Sequence, residues 1–177
     1  MLAGLTALAA AVAVWHVESA PAVDRRPVVL PAVFLGLSVR PGNFSTEASW
    51  TSTSEQALKG AGSAATEYGT LAAGQPRTPL INVIAARTDL TGKLDQRLAG
   101  DQGDLLGGTR CTQTLRLQPD TAKDAPPVVM PTMMLCWRLS GTFSITALAV
   151  LRPPAAAELA AAVDTLWDQL TTAPAGR

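Results

Sequence analysis

Val128–Leu139 reads VVMPTMMLCWRL, Ser140-Gly141 separates it from Thr142–Leu151 (TFSITALAVL), and Pro153-Pro154 leads into Ala155–Leu170 (AAAELAAAVDTLWDQL). Two apolar, β-prone runs joined by a short Ser-Gly turn read as a hairpin. Pro131 inside the first run marks an edge or a bulge, since proline cannot donate to a strand ladder. The Pro-Pro pair sits where a helix tolerates it, at its first turn. Beyond it, Leu159, Val163, Leu166, Trp167 and Leu170 fall on one side of a helix, a continuous apolar stripe that must be buried against something. The Asp164 and Asp168 side is expected to face solvent.

Immediately upstream, Thr109–Gln118 (TRCTQTLRLQ) alternates, with Cys111, Leu115 and Leu117 on one face and Arg110, Thr112, Thr114 and Arg116 on the other. That inward face is the expected seat for the helix. Leu80–Ala86 (LINVIAA) is apolar throughout and belongs in the middle of the sheet. Val33–Val39 (VFLGLSV) reads as one strand, Ala64–Leu71 as another around Tyr68, and Thr46–Gly60 as a weaker helix. Leu90, Leu94 and Leu98 suit a short helix closed by Gly100, while Asp101–Gly108 and Asp120–Pro127 read as loops. The expected fold is α+β: a mostly antiparallel sheet of about five to six strands packed against an amphipathic C-terminal helix, preceded by an N-terminal membrane helix.

Composition narrows the functions. The chain has 177 residues, enough for one domain with a short appendage, and 47% are hydrophobic, ample for a core. Charged residues make up 16%, below the roughly 25% of ordinary soluble domains. Lys+Arg and Asp+Glu are both 14, so the basic excess of a nucleic-acid binder is missing. A single histidine, His16, removes most metal sites and most His-based catalysis.

Met1–Val17 (MLAGLTALAAAVAVWHV) carries no Asp, Glu, Lys or Arg. Its length lies between a signal-peptide core and a full membrane span. Trp15 and His16 suit the interfacial end of an anchor, whereas Ala20-Pro21-Ala22 offers a small-x-small cleavage site. No basic residue precedes the run, which fits a start lying upstream. A buried N-terminal helix of the folded domain is the alternative. The expected organisation is an anchor or signal segment over 1–20, a Pro-rich spacer over 21–31, an extracytoplasmic domain over 32–171 and a tail over 172–177. In this reading residues 1–17 meet the lipid bilayer.

Cys111 and Cys136 are the only cysteines. On neighbouring strands in an oxidising compartment they would form a disulfide; in a reducing one they would be two buried thiols. A catalytic cysteine needs a base, and the folded region has no histidine. Met130, Met133, Met134 and Cys136 would suit Cu(I), but alternation places Met133 opposite the other three, so a methionine-lined core is the simpler reading. Gly60-x-Gly62 and Gly107-Gly108 follow no strand-to-helix phosphate loop. No cofactor or metal is expected.

The order of elements (an apolar GLSV strand, Tyr68, an apolar strand before a Leu-spaced helix, a strand with Cys111, a strand with Cys136-Trp137, the Ser140-Gly141 turn and a terminal Ala-rich helix) resembles actinobacterial envelope proteins. Those carry one N-terminal anchor and a small extracytoplasmic domain with two cysteines, and are mostly of unassigned function. The resemblance spans about residues 30–170 and implies no catalytic residues. The function expected is a non-enzymatic, membrane-tethered accessory or interaction module for another envelope protein or membrane complex. A carrier for a small apolar ligand, held in an enclosed apolar pocket, is the alternative; an enzyme using Ser, Asp or Lys without histidine is a third.

Overall fold

A computed structural model describes residues 26–40, 62–69, 79–116 and 126–172. The apolar run Met1–Val17, the helix expected over Thr46–Gly60, Leu117, most of the loop Asp120–Pro127 and the end of the tail lie outside the described residues. The strands are β1 (Val33–Phe34), β2 (Leu37–Ser38), β3 (Ser63–Gly69), β4 (Leu80–Ala86), β5 (Asp104–Leu106), β6 (Thr109–Thr112), β7 (Thr114–Leu115), β8 (Val128–Val129), β9 (Met133–Leu139) and β10 (Ser144–Val150). A 3-10 turn covers Leu94–Leu98, and among the described residues one α-helix, α1, covers Ala156–Thr172.

Six strands form one antiparallel sheet in the order β3-β4-β10-β9-β6-β5. The α+β expectation holds, with the strand count at six and α1 on the sheet. β4 and β10, the most continuously apolar runs, lie inside the sheet and are buried on both faces. On one face Val83, Ala85, Cys136, Ile145, Ala147 and Ala149 meet Leu159, Val163, Leu166 and Leu170 of α1. On the other, Ile84, Ala86, Leu115, Leu135, Trp137 and Leu148 are covered by Leu90, Leu94, Leu98 and Ala99. Apolar area is therefore removed from water on both sides of the sheet, which is what such unbroken apolar strands require.

Several elements differ from the sequence reading for local reasons. VFLGLSV is not one strand but the hairpin β1–β2, because Leu35 and Gly36 both take left-handed φ values (51° and 74°) and reverse the chain in two residues. The Leu90/Leu94/Leu98 spacing yields only a 3-10 turn, and Leu90 precedes it, held by its N–H on Ser144 Oγ at 3.0 Å. Asp101–Gly108 is not all loop: β5 pairs with β6 through a Gly107-Gly108 turn. The Ser140-Gly141 turn is a four-residue loop, closed by Ser140 N–H on the Phe143 carbonyl at 2.8 Å.

The alternation over Thr109–Gln118 breaks at Gln113. Thr114 N–H donates to Thr112 Oγ1 at 2.9 Å, and the Gln113 carbonyl accepts from Met130 N–H at 2.8 Å. The extra residue ends β6 and flips the facing of Thr114 and Leu115, as a bulge does. Cys111 thus faces α1 while Leu115 faces the opposite core, correcting the expectation that they share a face. On the partner strand, a turn through Pro131 (Met133 N–H to Met130 O, 2.9 Å) moves Met130 to the side of Met133, away from Met134 and Cys136.

The described part of the expected spacer, 26–31, lies against the domain. Val28 is buried and Leu30 packs on the core. The Pro31 carbonyl accepts from Tyr68 Oη at 2.8 Å, and the Arg26 carbonyl from Arg87 Nε at 3.1 Å.

Candidate functional site

Cys111 and Cys136 stand directly opposite each other on β6 and β9 with Cα atoms 4.1 Å apart, and they are joined by a disulfide. Both are buried beneath the first turns of α1, and Cys111 Sγ lies 3.7 Å from the Ala156 carbonyl oxygen.

The bulge that flips Leu115 borders a cleft beside this disulfide. Its volume is about 530 Å³, and Asp101–Asp104, Cys111–Thr114, Val129, Met134 and Ala156 line it. Asp101 sets the polarity of one wall: its carboxylate accepts from the Thr112 and Thr114 hydroxyls and, at 3.0 Å, from Gly103 N–H. Partial burial works to raise its pKa, but these hydrogen bonds outweigh that and hold it below the usual carboxylate value. Val129 is exposed where it lines the cleft, its β8 neighbour Val128 is exposed too, and Leu105 is exposed on β5, the edge strand. The cleft is open, and its wall mixes the polar groups of Asp101, Gln102, Asp104, Thr112, Gln113 and Thr114 with Val129, Met134 and Ala156. Among the described residues no three His, Cys, Asp or Glu side chains converge as metal ligands do.

Farther along α1 lies a second polar group. Asp164 accepts from Gly108 N–H at 2.9 Å, Thr109 Oγ1 at 2.7 Å and Arg138 Nη1 at 2.9 Å. Burial again acts to raise its carboxyl, and the donors from Thr109, Gly108 and Arg138 pull it below its ordinary value. The Gly107-Gly108 turn makes room: a Cβ on Gly107 would come within 2.5 Å of Asp164 Oδ2, and one on Gly108 within 2.7 Å of the Arg138 guanidinium carbon. Arg138 in turn lies over the Trp167 ring at 4.6 Å, Trp167 meets Phe143 edge-on at 5.0 Å, and Arg87 covers Phe143 at 5.5 Å. Asp164 therefore does not face solvent as expected; it ties α1 to the β5–β6 turn and to β9. Asp168 is exposed.

Of the stripe residues, Leu159, Val163, Leu166 and Leu170 are buried, while Trp167 is half-buried at the stripe's edge, clamped between Arg138 and Phe143. From the sequence, Asp101 is one of five acids (with Glu67, Asp89, Asp95 and Asp104) that could supply a carboxylate pair but read by default as solvated surface charge, and Asp164 reads as a solvent-facing helix residue. Their partners come from distant positions, and the one local signal, Gly107-Gly108, gives no clue to a carboxylate brought from α1. Comparison of the chain with protein-family models, with curated proteins and with solved structures gives no match.

Proposed function

We propose that the chain is a non-enzymatic, membrane-tethered extracytoplasmic domain, an accessory or interaction module for another envelope protein or membrane complex, of the actinobacterial kind its sequence resembles. The observation that carries this reading is the Cys111–Cys136 disulfide in the core. Disulfides form and persist in oxidising compartments and are rare in the cytosol, so a buried one supports export. Among the described residues no helix is long and apolar enough to cross a membrane, and the reading assigns the tether to residues 1–17. Val129, exposed where it lines the cleft, and its exposed β8 neighbour Val128 support a contact surface, since adjoining solvent-facing aliphatic side chains favour protein association.

Two measurements test the reading together. A reporter active only outside the cytoplasm, fused after Arg177, should be active; an inactive fusion at normal expression refutes the location. A photoreactive side chain at Val128 or Val129, in the full chain in its own membrane, should give a discrete adduct that the same group at Asp168 does not. Identical patterns at both places refute the contact surface.

A further inference from the structure

The cleft beside the disulfide has the volume of a ligand site, about 530 Å³, and its hydrogen bonds decide what it can receive. The donors of Gly103, Thr112, Gln113 and Thr114 on its wall are already spent. The Thr112 and Thr114 hydroxyls and Gly103 N–H donate to the Asp101 carboxylate, Thr114 N–H donates to Thr112 Oγ1, and Gln113 Nε2 donates to the Pro131 carbonyl at 3.2 Å. What these residues leave for an incoming group is acceptor oxygen, on Asp101 and Gln113, and the exposed Asp104 carboxylate adds to it.

The charge on this wall is uncompensated. The donors to Asp101 are neutral, so they satisfy the carboxylate without cancelling its charge. Among the described residues neither Asp101 nor Asp104 stands in an ion pair. Arg110, on β6, is turned to the backbone, with Nη1 donating to the Gln102 and Gly103 carbonyls at 3.2 and 3.0 Å. No lysine or arginine lines the cleft among the described residues, so its lining charge is that of Asp101 and Asp104. The rest of the wall is carbon and sulfur, from Cys111, Val129, Met134 and Ala156. An apolar stem with a cationic donor at its tip suits both sets of groups.

We propose that the cleft takes a lysine or arginine side chain of a partner polypeptide, with its cationic head on the Asp101 and Asp104 carboxylates and its methylene stem on Val129 and Met134. The proposal rests on the contact-surface reading above and names the chemistry of the partner. A polypeptide fits better than a free small amine because the apolar ground continues outside the cleft, onto the exposed Val128 beside Val129. One amine would leave that ground bare.

The methionines report the site and its control, since Met134 lines the cleft while Met130 and Met133 pack on the opposite core. The full chain, isotope-labelled at its methionine methyls and held in nonionic detergent, is titrated with a short end-blocked peptide alternating lysine and valine, and with the same peptide Nε-acetylated. The Met134 signal should shift saturably with the lysine peptide, and the acetylated peptide should bind several-fold more weakly. Raising the ionic strength from about 0.05 M to about 0.5 M should weaken the lysine peptide several-fold and leave the acetylated one unchanged. Asp104→Asn should lower the affinity several-fold and Asp104→Lys should abolish the shift, with the Met130 and Met133 signals unmoved as the sign of an intact fold. Equal binding of the two peptides, or undiminished binding to Asp104→Lys, overturns the cationic side chain and leaves the apolar contact standing. Saturation by n-butylammonium at the affinity of the lysine peptide overturns the polypeptide occupant. A Met134 signal that neither peptide moves overturns the whole inference. The photoreactive group at Val129 reacts without regard to charge, so a discrete adduct there keeps the contact surface standing when this proposal fails.

Discussion

Replacing Asp164 by alanine separates the two descriptions of α1 that a helical wheel and the folded chain give. By the wheel, Asp164 and Asp168 are equivalent surface acids. In the structure Asp164 loses three donors on truncation: Gly108 N–H, Thr109 Oγ1 and Arg138 Nη1. Hydrogen bonds to a charged group are worth about 1.5–3 kcal/mol each when sheltered, and an exposed ion pair about 0–1 kcal/mol. The side chain keeps 24% of its exposure, so water can replace some donors and the sheltered values are an upper bound. The expected loss is about 2–3 kcal/mol. For a chain of this size that lowers Tm by about 5–10 °C. Asp168→Ala, at an exposed position, should stay within about ±0.5 kcal/mol. Urea titration and thermal melting of both variants measure the difference. A pH series adds a second readout: because the donors hold the folded-state pKa of Asp164 below its unfolded value, its stabilisation is present above the unfolded value and is lost as pH falls through the folded one. Asp164→Asn should therefore start lower at neutral pH and lose less on acidification. If Asp164→Ala and Asp168→Ala melt alike, the tie between α1 and the β5–β6 turn contributes nothing, and the reasoning is refuted.

Four further outcomes are expected. The untreated protein should weigh two hydrogen atoms less than the reduced form. The Cys111→Ala, Cys136→Ala double variant should lose about 3–4 kcal/mol on the chain-entropy account of a 25-residue separation, read by urea midpoints. Trp167→Ala, at the half-buried edge of the stripe, should cost less than the roughly 2–5 kcal/mol of Leu159→Ala or Leu166→Ala at its buried centre; a larger loss at Trp167 would contradict the packing. Burial pushes the Tyr68 hydroxyl up to about 12, so its contribution is intact below the unfolded value of 10.0 and is lost as pH rises to about 12. Tyr68→Phe should flatten that alkaline limb, and an unchanged limb assigns it elsewhere.

The elements legible from the sequence are those whose burial is written along the chain itself. β4, β9, β10 and the leucine–valine stripe of α1 each carry enough apolar residues in one period to declare a face. β5 was hidden because an edge strand of three residues, two of them exposed, has no such period. The bulge was hidden because Gln113 is polar in a polar–apolar alternation, and only the Thr112 hydroxyl capturing Thr114 N–H reveals the extra residue. Asp164 was hidden for a third reason. Helical periodicity reports which side of a helix is apolar, but its donors Gly108 and Thr109 lie 56 and 55 residues away in sequence, and no window on α1 contains them.

The strand order β3-β4-β10-β9-β6-β5 divides the sheet into two sequence-local parts that meet along a single line. Residues 63–86 make the first part by one hairpin; residues 104–150, with α1 lying across β5, β6, β9 and β10, make the second. Every other strand pairing in the sheet joins neighbours in that local sense, so the loop-closure entropy of the whole domain is concentrated in the β4–β10 seam. A folding order is expected as a result: the disulfide-joined β6 and β9, with β10 and α1, assemble first, and the β3–β4 pair adds last. In native-state hydrogen exchange the amides of β3 and β4 should open as one cooperative unit, at a lower free energy than those of β6 and β9 stapled by the disulfide.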